Sequence, residues 1–492
     1  MDVTTLFDRA AVRFRDRVAL EGPQGTQTFA ELASRVARLA GVLRDMGLRP
    51  GDRVLDLQPN QNSVVEADLA CMRAGLVRVA LNYRLHTDDW DRIAADCEPA
   101  GLLCDASLAT RAAGLYDRLP ANLTIGGDHL ERLERADPLT LPVYSDLVSL
   151  NYTSGTTGTP KGVRRHHRHR LTSMTNMTLD VLGGLPGPGD TYLHAGPISH
   201  TSGLFVLPFL TAGARQIIHT GFDTDAVLDA FTHRGVTHTA LVPTMIARLL
   251  GSPDLEFQPG LKMLAYAGAP MSAAHIRGAR ERITGALVQY YGLVEAIPPV
   301  TVLTPEDHAD AVDGRPELLA SAGRAARLVD LAVVDEHGVP VPAGETGEVV
   351  TWGPHVMPGY WRGESDAKAL RDGRLATGDL GRIGPDGHLW LVDRKADMIL
   401  TGGYNVYPRE VETLLAGVPG VDQVAVYGAE DPEWGQRVTA AYTGSATEAE
   451  LRARCEAALA GFKRPKSYRR LTRFPLNATG KIDKKALARD DH

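Results

Sequence analysis

Short apolar runs alternating with amphipathic stretches constrain this chain most, because strand–helix–strand order is the pattern of a parallel sheet with helices on its faces. Thr28 and Glu31 form a capping box, and the helix they open repeats Leu32, Val36, Leu39 and Leu43 before closing near Gly47. Arg53 to Leu57 then reads as a strand, Ser63 to Ala74 as a helix, and Val77 to Leu81 as a second apolar run. Asp225 to Arg234 and Thr237 to Val242 repeat the pair as a helix and a Thr/Val-rich buried strand. Around Leu331 to Thr351 the texture changes to short strands divided by His337-Gly338, Pro340, Pro342 and Gly344, as in an antiparallel or barrel-like subregion. Beyond Asp393 come a helix near Arg409 to Leu415 and strands near Val421 to Tyr427 and Val438 to Tyr442. That is enough for a small separate domain.

A length of 492 residues exceeds what one core usually serves. The expected fold class is therefore α/β: a large N-terminal domain of α/β subdomains plus a barrel-like β subregion, residues 1–392, a hinge at 393–397, and a small mobile α+β domain, 398–492. A formal charge of −7 argues against general nucleic-acid affinity, which needs a basic footprint. The start, Met1-Asp2-Val3-Thr4, lacks the basic and apolar regions of a signal peptide, and no apolar run reaches membrane-spanning length, so a cytoplasmic location without membrane insertion is expected. Cys71, Cys97, Cys104 and Cys455 show neither C-x-x-C pairing nor histidines at ligand spacing, and read as small buried side chains.

The segment Tyr152-Thr-Ser-Gly-Thr-Thr-Gly-Thr-Pro-Lys161-Gly162 carries the most chemistry. Its glycines allow close backbone approach, its hydroxyls donate hydrogen bonds, and its lysine adds one mobile charge, all suited to a polyphosphate. It is not a Walker A loop, because Lys161 follows Pro160 and precedes Gly162. Other motifs follow in order: Pro197-Ile-Ser-His200-Thr-Ser-Gly203, Tyr266-Ala267-Gly268-Ala269-Pro270, and Tyr290-Tyr291-Gly292-Leu293-Val294-Glu295. Gly347-Glu348, Thr377-Gly378-Asp379, Asp393-Arg394-Lys395 and Asn477-Ala-Thr-Gly480-Lys481 complete the series. From about Thr28 to Lys485 the chain resembles the superfamily of acyl- and aryl-CoA synthetases, peptide-synthetase adenylation domains and luciferases, and looks most like the acyl-CoA synthetases.

That resemblance implies an ATP-dependent ligase that couples a carboxylate to AMP with release of pyrophosphate, then passes the acyl group to CoA and releases AMP. It implies ATP contacts at Thr153, Ser154, Gly155, Thr156, Thr157, Gly158, Lys161, Gly268, Ala269, Pro270, Tyr291, Gly292, Asp379 and Arg394. Lys481 would bridge the carboxylate and the α-phosphate. Asp379 would accept from the ribose hydroxyls, since a carboxylate is acceptor-only, and Glu295 would hold Mg²⁺ with the phosphates. Ser199, His200, Tyr266, Leu293, Ala296 and Ile297 would line the acyl pocket, His200 with a catalytic or sensing role. Gly402, Gly403 and Tyr404 would line a thiol tunnel once the small domain swings about its hinge. The implied partners are a small carboxylic acid and CoA or the phosphopantetheine of an acyl carrier protein, with a homodimer left open.

Two residues depart from the family pattern. Val294 stands where threonine is usual, deleting a hydroxyl that would bond the α-phosphate, and Ala396 stands at the usual pivot. The residues leave open a CoA ligase, a stand-alone enzyme loading a carrier protein, an adenylating enzyme with a non-thiol acceptor, and an adenylation-impaired or non-ligase nucleotide-binding homologue. The run from Arg164 to Arg170 reads most simply as a solvated basic face, with attraction of an anionic substrate or a carrier protein as the alternative. The pocket candidates show no carboxylate for an amino group, which favours an aliphatic, alicyclic or aromatic acid.

Overall fold

The computed structural model describes residues 2–153, 160–363, 366–395, 397–432, 434–476 and 482–490, the side chains of Lys368 and Asn405 aside. By internal contact the chain divides into two units, Met1–Leu331 with Thr351–Leu375, and Ala332–Val350 with Ala376–His492.

The first unit contains a six-stranded sheet ordered Ala121–Ile125, Gly101–Asp105, Arg53–Leu57, Val77–Ala80, Leu147–Thr153, Lys161–His166. All neighbours are parallel except the last pair. A nine-stranded sheet is parallel from Leu287–Leu293 through Met263–Tyr266, His238–Leu241, Thr191–His194 and Arg215–Ile218 to Val18–Gly22, with antiparallel strands at both edges. One core cluster draws Val54, Leu103 and Leu123 from the first sheet, Leu20 and Ile218 from the second, and the helices Phe29–Asp45 and Asn62–Arg73.

Local chemistry sets these helices. The Thr28 hydroxyl accepts from the Glu31 N–H (3.2 Å) while Glu31 accepts from the Thr28 N–H (2.7 Å), and Gly47, at φ +86°, turns the chain beyond the helix end. Asn62–Arg73 is buried along its whole length, Glu66, Asp68 and Arg73 included. Charges in such a place cost several kcal/mol unless paired. Glu66 accepts from Arg35 Nε and Gln27 Nε2, both at 2.6 Å, and Arg73 pairs with Asp8.

In the second unit, Tyr404–Val406, Ile399–Thr401, Gly435–Gly444 and Val421–Asp431 form an antiparallel sheet with Ser467–Arg470 added in parallel. Helices Pro408–Ala416 and Glu448–Ala458 supply Val411, Leu415, Leu451 and Cys455 to its core. A further five-stranded sheet joins Asp330–Val334, Gly347–Trp352, Arg374–Ile383, Leu370–Arg371 and Leu389–Arg394. This is the expected class: a large α/β part, a β subregion near residue 340 and a smaller α+β part. The four cysteines are buried free thiols, and among the described residues no helix is long and apolar enough to cross a membrane.

Candidate active site

The hairpin of Leu147–Thr153 and Lys161–His166 carries the phosphate-loop sequence at its tip, with Thr153 directly opposite Lys161. Ser154, Gly155, Thr156, Thr157 and Gly158 lie outside the described residues. Lys161 Nζ stands 5.3 Å over the Tyr360 ring, and the Tyr360 hydroxyl donates to Glu295 Oε1 at 3.0 Å. Lysine, phenol and carboxylate thus form one group beside the loop. Among the described residues no trio of His, Cys, Asp or Glu could cage a metal. One carboxylate completed by substrate phosphates is how magnesium is commonly held, so Glu295 fits the expected ion.

Farther along the same hairpin, Ser149 and Arg165 help line a cavity of about 60 Å³. Ser199, His200 and Ile297, expected at the acyl pocket, all line it. His200 is exposed at the rim, its Nδ1 2.9 Å from Ser199 Oγ. The opposite wall was not anticipated: Asp68, Arg78, Arg165 and Arg170. Arg170 grips Asp68 through both oxygens (2.6 and 3.4 Å), while Arg78 bonds Asp56 (2.7 Å) and Asp68 (3.1 Å). Burial raises the Asp68 pKa, yet Arg170 and Arg78 outweigh it and hold the carboxyl below its ordinary value.

These arginines correct the reading of the run from Arg164 to Arg170 as a solvated face. The run straddles a corner, ending the strand Lys161–His166 and opening the helix His167–Asn176. Alternation along the strand puts Arg165 on the face of Lys161 and Val163, and the helix then turns Arg170 inward. His167 and His169 are buried too, and only Arg168 is exposed. The period-two spacing from Lys161 to Arg165 was the available signal. The pairing of Asp68 with Arg170 had none, because 102 residues separate them.

Tyr266 does not reach the cavity. It is 1% exposed and its hydroxyl meets His308 Nε2 at 3.0 Å, so it packs as core rather than as pocket wall. Ala296 is buried, with Leu293 and Val294 packed against the same cluster away from the cavity lining. Gly268, Ala269 and Pro270 form an exposed turn with Gly268 at φ +85°. Tyr291 is partly buried, and a Cβ at Gly292 would come within 2.8 Å of Pro298, so that close approach requires glycine.

Within the second unit, Asp379 and Arg394 face each other across paired strands, Arg394 Nε donating to Asp379 Oδ1 at 3.1 Å. The two residues expected at the ribose are thus together. Burial pushes the Asp393 carboxyl up, although it accepts from the N–H groups of Arg394 (2.7 Å) and Arg409 (2.9 Å). A side chain at Gly402, φ +55°, would strike Trp434 at 2.6 Å; Gly403 has φ +83°, and Tyr404 stacks on Phe462 at 4.6 Å. Lys481 and Ala396 lie outside the described residues.

Comparison with known proteins identifies the family. Residues 7–361 match the AMP-binding enzyme family and residues 410–481 the AMP-binding enzyme C-terminal domain. A feruloyl-CoA synthase from an Amycolatopsis species is 39% identical over 481 residues, covering 94% of this chain and 93% of the relative. The structure of amide bond synthetase McbA from Marinactinospora thermotolerans superposes with TM-score 0.90 at 31% identity, covering 100% of both chains. That of o-succinylbenzoate CoA synthetase (MenE) from Bacillus subtilis, in complex with its acyl-adenylate intermediate, gives 0.87 at 29% identity over 98% of this chain and 97% of the other. The chain belongs to the AMP-binding enzymes, within the adenylate-forming superfamily that includes the acyl- and aryl-CoA ligases.

Proposed function

We propose that this AMP-forming acid–thiol ligase activates its acid where Lys161 and Glu295 converge on the phosphate loop, and that CoA is the thiol. The observation that carries this reading is the group of Lys161, Tyr360 and Glu295 at the tip of the hairpin. A carboxylate is a poor electrophile, and the mixed anhydride with AMP makes its carbon open to a thiol. Both reactants are anions, so positioning and fixed cations supply most of the rate.

In this reading the loop from Thr153 to Lys161 cradles the triphosphate, and Lys161 adds its charge. Tyr360 fixes the rotamer of Glu295, which would hold Mg²⁺; the ion, when bound, would neutralise charge on the phosphate oxygens. Residues 268–270, Tyr291 and Gly292 seat adenine. Asp379 accepts from the ribose hydroxyls, and Arg394 orients it. Lys481 bridges the carboxylate and the α-phosphate. The acid lies in the cavity lined by Ser199, His200 and Ile297, the segment 393–397 is the pivot, and Gly402, Gly403 and Tyr404 border the thiol path. A second reading, favoured by the likeness to an amide bond synthetase, has an amine take the acyl group from the same adenylate.

ATP–pyrophosphate exchange over a panel of carboxylic acids tests the first step. Lys481→Ala should lower exchange by about a hundredfold or more, and undiminished exchange would overturn its assigned role. Val294→Thr should raise exchange a few-fold by restoring an α-phosphate donor. Supplying CoA, a phosphopantetheinyl carrier protein or an amine in separate reactions then identifies the acceptor, and product formed only with carrier or amine would overturn CoA.

A further inference from the structure

The ionic wall of the cavity is unbalanced. Arg78, Arg165 and Arg170 face two carboxylates, Asp56 and Asp68, and both carboxylates are engaged by Arg78 and Arg170. Among the described residues Arg165 is left with the Val294 carbonyl, to which Nη2 donates at 3.3 Å, while its Nε is buried and meets no partner. Glu295 attracts Arg165 through space, but its Oε1 is occupied by Tyr360 and its charge is assigned to metal and phosphate. Burial, with the like charge of Arg170 adding to it, pulls the Arg165 guanidinium down to about 9, so it remains a cation at neutral pH. A part-buried cation whose Nε is shut from solvent and meets no acceptor among the described residues is costly, and an anion entering the cavity would relieve it.

That anion is not the carboxylate that reacts. Arg165 is opposite Ser149, four residues along the hairpin from the pair of Thr153 and Lys161. At strand rise this sets its backbone about 13 Å from the mouth of the phosphate loop. The rest of the wall includes Val65, Ile198, Leu207 and Ile297, which suit an apolar linker.

We infer that this cavity selects carboxylic acids bearing a second carboxylate, which forms a charge-assisted hydrogen bond with Arg165 while the first carboxylate is adenylated. The inference rests on the ligase reading above and adds the substrate class. Arg165 is a specificity-determining residue here, and it takes no part in the bond changes at phosphorus.

The test is ATP–pyrophosphate exchange by the full-length enzyme with pairs of acids matched in length over a series of apolar linkers, one of each pair ending in methyl and its partner in a second carboxylate. The wild-type enzyme should favour the diacid by roughly tenfold or more in kcat/KM, chiefly through KM. In Arg165→Met the ratio of diacid to monoacid should fall to near one, with Arg165→Lys between. A wild-type enzyme that activates monoacids as well as diacids, or an Arg165→Met enzyme that keeps the ratio, overturns the inference. Should Arg165→Met fail to fold, the wild-type ratio decides alone. No exchange with any acid would instead overturn the ligase reading, so the two failures are distinguishable.

Discussion

The two ends of one hairpin have opposite physics. At its tip Thr153 stands opposite Lys161, the proposed phosphate cation, which among the described residues has a ring face beneath it. Four residues away, Arg165 is enclosed and neighbours a lattice of Arg78, Arg170, Asp56 and Asp68. Charge at the tip is held ready for a ligand, whereas charge at the inner end is mostly spent holding helices to the sheet. The first kind should govern rate and the second stability.

Asp68→Asn attacks the inner end most directly. It leaves Arg78 and Arg170 without their shared carboxylate and should cost about 3–5 kcal/mol in urea denaturation. Lys161→Ala at the tip should cost under about 1 kcal/mol. Equal losses would erase the distinction. Glu295→Gln probes the tip, keeping an acceptor for Tyr360 while removing charge. Pyrophosphate exchange should fall about a hundredfold with little change in urea midpoint. A variant that unfolds instead would show that Glu295 belongs to the structural set.

Acid offers the mildest probe. His169 is buried, its Nδ1 accepts from the His166 N–H at 2.9 Å, and burial, aided by Arg168, lowers its pKa from 6.5 to about 4. Between these values the unfolded chain binds a proton that the folded chain does not, so stability rises with pH across the window and is lost on acidification from 6.5 to 4. Allowing for partial screening, His169 contributes about 2 kcal/mol. His194, His238, His308 and His355 are lowered to about 4 in the same way, so melting temperature followed across that window should show a fall that His169→Asn makes shallower. An unchanged slope in the variant would place the acid sensitivity elsewhere.

Local signals made much of this legible. The pairing of Thr28 with Glu31, the turn at Gly47 and the strand Arg53–Leu57 are written in adjacent residues, and the structure has them there. The inner wall was hidden because its meaning is tertiary. Asp68 carries no local signal until the fold brings it to 2.6 Å from Arg170, and an Arg/His run looks solvated until a strand-to-helix corner divides it. Tyr266 misled for the converse reason: its place in a motif suggested a ligand, while its hydroxyl is taken by His308.

The wholly interior helix Asn62–Arg73 has a consequence for how such an enzyme can change its diet. Asp68 is at once a rivet between layers and a tile in the wall of the cavity proposed for the acid. Variants there that admit a new acid would be filtered by whether they fold, so viable drift in substrate range should enter from the rim at Ser199 and His200, which stand outside the Asp68 ion pairs.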